Sequence, residues 1–133
     1  MTLELPFRIE TFETLASTQD EMRSRLGRSE NVNGLVIRAL EQTSGRGQRS
    51  RDWQSNKGGS YQTLAARDEA SIFNKPYAAI VIAIGLARVL PEYGIQVSIK
   101  WPNDLYYPHK SKQGKKVAGI LCEYVKGHLL VGI

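Results

Sequence analysis

The stretch QTSGRGQRSRDWQSNKGG, residues 42–59, sets Arg46, Arg49 and Arg51 among glycines and serines, with Trp53 close behind. A guanidinium is a planar, permanently charged donor whose fork matches carboxylate and phosphate oxygens. Glycines at 45 and 47 let backbone N–H groups come close to a ligand. These are the parts of an anion clamp. The same composition also describes a flexible, solvated linker. Position argues against the linker: the stretch lies between two apolar segments of a small domain, where long unstructured connections are uncommon and tend to be functional. Trp53 also gains little from staying in water. The stretch is not a Walker loop, since no Gly-Lys-Ser/Thr follows, and not a dinucleotide fingerprint, since it does not run from a strand into a helix.

Two further strings place polar groups where an apolar pattern breaks. In IKWPNDLYY, Pro102 interrupts a strand, so Lys100 and Trp101 end one strand and Asn103 and Asp104 turn the chain into the next. An ordinary Asn-Asp turn is the plain alternative. In GKKVAGILCEY, Lys116 precedes an apolar strand and Gly119 interrupts it. A glycine inside a strand marks either a bulge or a place where a ligand or another backbone comes close.

The elements around these strings follow from periodicity. PFRIETFE alternates and reads as a strand; STQDEMRSRL opens with hydroxyl residues and carries Glu21 three residues after Thr18, a capping-box start to a helix. GLVIRALE and SYQTLAAR read as strands joined by the arginine-glycine loop. NKPYAAIVIAIGLARVLPEYG has Asn74 as its N-cap, Pro76 in the first turn and an end near Gly94, and is apolar nearly all round, which predicts a largely buried helix. IQVSIKW, DLYY, KVAGILCEYV and HLLVGI read as strands, the last two joined by the turn Lys126-Gly127. This is a mixed α/β domain with most of its sheet expected in the second half.

Composition bounds the rest. With 133 residues, 41% of them apolar, the chain suffices for one packed core and is too short for two ordinary domains. It holds no apolar run of membrane-spanning length and no signal-peptide pattern at MTLELPFRIE, so a cytoplasmic location is expected. The single cysteine, Cys122, excludes an internal disulfide and a cysteine zinc site. A net charge of +5 favours anionic partners: nucleic acid, nucleotide phosphates or an acidic protein domain. Cys122 lies in an apolar strand and reads as an inert packed thiol. His109 and His128 sit by turns without a partner at ligand spacing and read as exposed. Lys110, Lys112, Lys115 and Lys116 read as a solvated charge run, with Lys116 set apart only by its place at the strand entrance.

In order and spacing, STQDEM, EQTSGRGQRSRDW, IKWPNDLYY, KKVAGILCE and LLVGI together resemble the catalytic domain of the biotin protein ligases, over nearly the whole chain. The resemblance implies an α+β fold with a mixed, mostly antiparallel sheet and flanking helices, shared with lipoate ligases. It implies an enzyme that uses ATP and Mg2+ to couple biotin to AMP and then passes the biotinyl group to a lysine of a biotin carboxyl carrier protein. By resemblance, Ser17, Thr18 and Gln19 meet the ureido ring and Gln42 contacts the ligand. Gly45, Arg46, Gly47, Gln48, Arg49, Arg51 and Trp53 belong to the loop that folds over the adenylate. Lys116 and Gly119 lie against its carboxyl-phosphate region, while Lys100, Asn103 and Asp104 form a supporting turn. Arg46 and Lys116 are the expected catalytic cations; no residue is assigned to the metal.

The resemblance has departures. Gln48 and Ser50 stand where many family members have a cation and a glycine. The family's catalytic domain usually continues past VGI, so residues 1–133 are expected to be a partial catalytic domain without its C-terminal part and small β domain. No helix-turn-helix segment appears, so no DNA-binding domain is expected in this chain, and a homodimer is compatible with the pattern. Three other readings stay open: a lipoate- or octanoate-transferring enzyme, although its arginine-rich and glycine-triplet motifs are absent; an inactive ligand-binding fragment; and a basic nucleic-acid-binding module, although aromatics other than Trp53 are not interleaved with the basic residues.

Overall fold

The computed structural model describes residues 7–68, 77–108 and 114–133. The Asn74 cap, Pro76, His109, Lys110 and Lys112 lie outside the described residues. A strand, β1 (Arg8–Leu15), leads through α1 (Thr18–Gly27) to the long β2 (Leu35–Arg46), which pairs with β1 in parallel. All other pairings among the described residues are antiparallel. β2 takes β3 (Asp52–Ser55) along its second half and β4 (Tyr61–Arg67) along its first. The last two strands, β8 (Leu121–Val125) and β9 (His128–Gly132), complete a sheet ordered β1-β2-β4-β9-β8, with β3 on β2. A separate small sheet is built from β5 (Ser98–Lys100), β6 (Asp104–Tyr106) and β7 (Lys116–Gly119). The α+β fold with a mostly antiparallel sheet is as expected. The large sheet nevertheless draws β1 to β4 from the first half of the chain, against the expectation that most of the sheet lies in the second.

Successive side chains of a strand point to opposite faces, and β9 shows what that does here. Leu130 joins Met22, Leu26, Leu35, Ile37 and Ala65 in a core under α1, while Leu129 and Val131 join Leu105, Ile120, Ala78 and Ala83 in a core on the other side. Both faces of the strand are covered, which is why HLLVGI is continuously apolar rather than alternating. In α1, Met22 and Leu26 lie four residues apart on the sheet-facing side, and Arg25 pairs outward with Glu21 at 2.9 Å.

The helix cap lies one residue earlier than the Thr18–Glu21 capping box. Ser17, in extended conformation, accepts from the Asp20 N–H at 3.3 Å. Thr18 is unavailable as a cap because its side chain is buried and bonded to Thr63.

α2 (Ala78–Val89) ends in a 3-10 turn, Leu90–Tyr93, closed by Gly94 at φ 77. It is not buried all round. Ala78 and Ala83 face the core, whereas Val81, Ile84 and Val89 are 47%, 41% and 48% exposed, because the helix packs along one side only, against β5, β6 and β8.

The arginine-glycine stretch is also more ordered than a loop. Gln42–Arg46 extend β2, Asp52–Ser55 form β3, and only a tight connection separates them, closed by the Gly47 N–H donating to the Arg51 carbonyl at 2.8 Å. A Cβ on Gly45 would meet the Trp53 carbonyl at 2.5 Å, so glycine there serves close strand pairing.

KVAGILCEYV, read as one strand, divides at Ile120 into β7 and β8 in different sheets. Asn103 holds the division: its carbonyl accepts from the Ile120 N–H at 2.9 Å and its amide donates to the Ile120 carbonyl at 3.0 Å. The Lys126-Gly127 turn has positive φ at both residues, as a two-residue hairpin requires. His128, expected exposed, is buried at the start of β9, its Nδ1 3.0 Å from the Lys126 carbonyl, because pairing with both Val125 and Arg67 encloses it.

Met22 has no solvent exposure and lies between α1 and the sheet. Met22→Ala is expected to lower the unfolding free energy by about 2–5 kcal/mol through lost transfer energy and a residual cavity. Urea unfolding followed by circular dichroism checks this; an unchanged midpoint would contradict the packing.

Candidate functional site

Where α1 begins, β2 ends and β7 crosses to β8, the structure encloses a cavity of about 300 Å³. Its floor is polar and buried. Ser17, Thr18 and Gln19 enter from the first turn of α1, with exposures of only 2–4%. The Thr18 N–H donates to Gln42 Oε1 at 2.8 Å, and Gln42 Nε2 donates to Ser55 Oγ at 2.8 Å. On the other side Thr18 Oγ1 lies 2.9 Å from Thr63 Oγ1, Thr63 donates to Gln19 Oε1 at 2.9 Å, and Gln19 Nε2 donates to Glu123 Oε2 at 2.9 Å. Burying so many polar groups is tolerable only because each is hydrogen-bonded. Gly132 makes room for one of them: a Cβ there would stand 2.8 Å from Gln19 Oε1.

A second part of the lining, the wall, carries the cations. Lys116 Nζ lies 2.7 Å from Asp104 Oδ1 and 4.6 Å from the centre of the Trp53 ring. The indole is wedged from behind, since a Cβ on Gly119 would meet it at 2.8 Å. Of the two readings of Gly119, close approach therefore holds, with a side chain as the neighbour; the register shift in the β6–β7 pair lies opposite, between Leu105 and Tyr106. Arg46 donates to Asp20 Oδ1 and comes within 3.7 Å of Glu123 Oε1. The hydrogen bond to Asp20 raises the Arg46 pKa further, against desolvation, and keeps the group a permanent cation. Arg51 and Gln48 complete this wall. Burial pushes the Cys122 thiol up to about 11, which keeps it protonated and a poor nucleophile at neutral pH.

The cavity thus gathers Ser17, Thr18, Gln19, Gln42, Arg46, Gly47, Gln48, Arg51, Trp53, Asn103, Asp104, Lys116 and Gly119. Gly45, Arg49 and Lys100 do not line it. Gly45 lies beneath the Trp53 backbone, Arg49 is exposed in a left-handed backbone conformation at φ 57, and the Lys100 ammonium sits 5.2 Å over the Tyr106 ring. Sequence reasoning missed Thr63, Ser55, Glu123 and Asp20, which position the lining residues, and Tyr61, Gly132 and Ile133, which line the cavity. One of these left a signal: Glu123 is a lone charged residue inside the apolar run GILCEYV.

The sequence pattern of the Biotin/lipoate A/B protein ligase family matches residues 11–133. The chain is 34% identical over 113 residues to the bifunctional ligase/repressor BirA of Bacillus subtilis, covering 84% of this chain and 33% of that protein. It is 26% identical over 123 residues to the biotin--[acetyl-CoA-carboxylase] ligase of Mycobacterium tuberculosis, covering 88% and 44%. Its structure resembles the biotin acetyl coenzyme A carboxylase synthetase of Helicobacter pylori with bound biotinylated ATP, at TM-score 0.83 and 30% identity over 95% of this chain and 59% of that one. It also resembles the biotin protein ligase of Aquifex aeolicus in complex with biotin and ATP, at TM-score 0.78 and 32% identity over 94% and 50%. The chain therefore spans about a third of the length of BirA and about half of the solved ligases. With the pattern matched from β1 to the end of β9 and the same fold found in solved biotin protein ligases, the chain belongs to the biotin/lipoate A/B protein ligase family.

Proposed function

We propose that this chain carries the substrate site of a biotin protein ligase, which forms biotinyl-5′-AMP from biotin and ATP and transfers the biotinyl group to a lysine of a biotin carboxyl carrier protein. The observation that carries this reading is the polarity of one cavity: its lining combines neutral donors and acceptors at Ser17, Thr18 and Gln42 with the cations Arg46, Arg51 and Lys116. Biotin has the same division, with a ureido ring at one end and a carboxylate at the other. Lipoate does not. Its dithiolane ring offers no hydrogen bonds and would leave unmet the capacity that the floor's internal bonds do not use, such as the second Gln42 N–H, a penalty of about 1–3 kcal/mol for each such group.

A carboxylate becomes an acylating agent only once its oxygen is bonded to the α-phosphorus of ATP, with pyrophosphate leaving. That step brings a carboxylate against a triphosphate, and the protein's part is positioning and charge. Lys116 lines the same cavity as the floor and is the cation this reading assigns to the carboxylate end of the ligand. Arg46 and Arg51 face the same space, and Gly47 adds a backbone without side-chain bulk. The second step breaks the acyl–phosphate bond by attack of a lysine amine on the acyl carbon, releasing AMP; the cationic wall offsets charge on that leaving group as well.

Mg2+ fits the donor set as a nucleotide-bound ion. Asp104 would supply one carboxylate, whose buried Oδ1 is ion-paired with Lys116 Nζ at 2.7 Å, and no cluster of three or more potential ligands occurs among the described residues. An ion that keeps its waters and takes one or two carboxylates besides phosphates matches that arrangement. Once bound, it would supply charge neutralisation on the phosphates. Among the described residues no helix is long and apolar enough to cross a membrane. The carrier protein partner, a homodimer and a cytoplasmic location belong to the same proposal.

Titration calorimetry tests the reading: biotin should give saturable heat, lipoate and a short oligonucleotide none. Oligonucleotide binding with steep salt dependence and no response to biotin would sink it. Lys116→Ala in the full-length protein should lower pyrophosphate release by about 2–4 kcal/mol in activation free energy, the scale of losing an oriented charge partner. Stability should change far less, because the ion pair is partly exposed, at 33% and 20% of the two side chains, and such pairs contribute about 0–1 kcal/mol. An unaltered rate would remove Lys116 from the chemistry.

Ligand should also close the connection between β2 and β3. Its Gln48, Arg49 and Ser50 are exposed, with positive φ at Arg49 and Ser50. Trypsin cleavage after Arg46, Arg49 and Arg51 should slow when biotin and ATP are added; equal cutting with and without them would contradict the contact.

A further inference from the structure

The floor hydrogen bonds have a direction. A carboxylate only accepts, so Glu123 Oε2 fixes the neighbouring Gln19 group as its donating NH2, 2.9 Å away. Turning the amide over would set its oxygen against the carboxylate. With the NH2 placed, Gln19 Oε1 must accept, and its partner at 2.9 Å is the Thr63 hydroxyl. That hydroxyl has one hydrogen, and the bond to Gln19 uses it. The 2.9 Å contact between Thr63 Oγ1 and Thr18 Oγ1 can then be made only with Thr18 as donor. The Thr18 hydrogen is thereby committed away from the cavity, and Thr18 Oγ1 presents lone pairs alone.

A second chain ends beside it. Gln42 Oε1 accepts from the Thr18 N–H, so its NH2 gives one hydrogen to Ser55 Oγ and has the other for the cavity. An acceptor at Thr18 thus stands next to a donor at Gln42. A ligand that places an N–H beside a C=O complements this pair, and one without a ring N–H does not.

We infer that Glu123 is a positioning residue that sets the hydrogen-bond polarity of the cavity floor through Gln19 and Thr63, so that the site selects a ligand ring carrying an N–H. This rests on the proposed biotin reading and deepens it. Glu123 does not line the cavity; it acts from β8 through Gln19 and Thr63, which are 3% and 0% exposed, so the Gln19–Thr63 and Thr63–Thr18 links are buried. It also holds Arg23 at 3.0 Å and approaches Arg46 at 3.7 Å, so loss of affinity alone would not separate polarity-setting from charge pairing.

The separating measurement is a preference. Binding of biotin is compared with that of its two cyclic carbamate analogues, in each of which one ring N–H is replaced by oxygen, using the full-length protein. The unmodified protein should disfavour at least one carbamate about tenfold or more relative to biotin. Glu123→Gln offers an amide that can donate as well as accept, so Gln19 and both hydroxyls can reverse and Thr18 can donate to a ring oxygen; the preference should fall to within about threefold. Thr63→Val cuts the relay while leaving Glu123, Arg23 and Arg46 in place, and should lose the preference to the same degree. Thr63→Ser should keep it. If Glu123→Gln does not fold, the two Thr63 variants read the same relay. A preference unchanged in Glu123→Gln or Thr63→Val, with all ligands weakened equally, overturns the inference and leaves the biotin reading standing. Failure of the unmodified protein to bind biotin overturns both.

Discussion

Thr63 is fully buried in the middle of the large sheet, on the strand that pairs with both β2 and β9. An unpaired hydroxyl there would forfeit its hydration, a loss of about 1–3 kcal/mol. Its partners, Thr18 and Gln19, are the first residues of α1, so satisfying Thr63 fixes where the helix begins. That constraint explains the displaced cap: with Thr18 drawn inward, Ser17 is left to accept from the helix N–H groups. It also aims the first turn of α1 at the cavity. The requirement to pair one buried hydroxyl thus positions the helix and shapes the binding floor together.

The cationic wall depends on a different kind of contact. Lys116 and Asp104 come from neighbouring strands of the small sheet, yet the floor belongs to the large one. The two sheets are brought into register by the Asn103 bonds to Ile120 and by Trp53, an indole from β3 that reaches across to Gly119 and Lys116. Backbone pairing alone would leave the small sheet attached only through the chain and the core around Leu105 and Ile120. Trp53 therefore acts as a structural span as well as a wall.

Much of this was legible in the sequence, for identifiable reasons. Alternation found β1, a β-branched run found the first half of β2, and Lys126-Gly127 marked its hairpin because both residues adopt positive φ. The chemistry-bearing strings were also legible, since glycine, arginine and tryptophan are uncommon together. Nonlocal geometry was not. That β2 runs on through Gly45 to Arg46 depends on β3 returning beside it, and nothing in TSGRG announces a partner strand. The division of KVAGILCEYV at Ile120 depends on an asparagine seventeen residues earlier. Helix α2 looked buried all round because hydropathy counts apolar residues and does not report which face meets another element. Glu123 was passed over as one acid in a strand, its meaning residing in Gln19, more than a hundred residues away.

The two ends of the cavity also differ in how firmly they are held. The floor is a closed network of buried neutral bonds plus one carboxylate, and such networks resist rearrangement because every broken link leaves a desolvated group. Two cations of the wall, Arg46 and Lys116, are held by carboxylates, Asp20 and Asp104, and are about a third exposed, at 31% and 33% of the side chain. Ion pairs in that setting contribute little, because solvent screens the attraction and holding two long side chains costs entropy. A phosphate or carboxylate oxygen arriving in the cavity therefore competes with Asp20 and Asp104 on nearly level terms, and a group with greater charge wins. The internal pairs balance the charges of Arg46 and Lys116, and under the proposed reading their weakness would let both exchange partners with an anionic ligand. A rigid neutral floor and a labile cationic wall suit a reaction in which one end of the ligand stays fixed while charge develops and departs at the other.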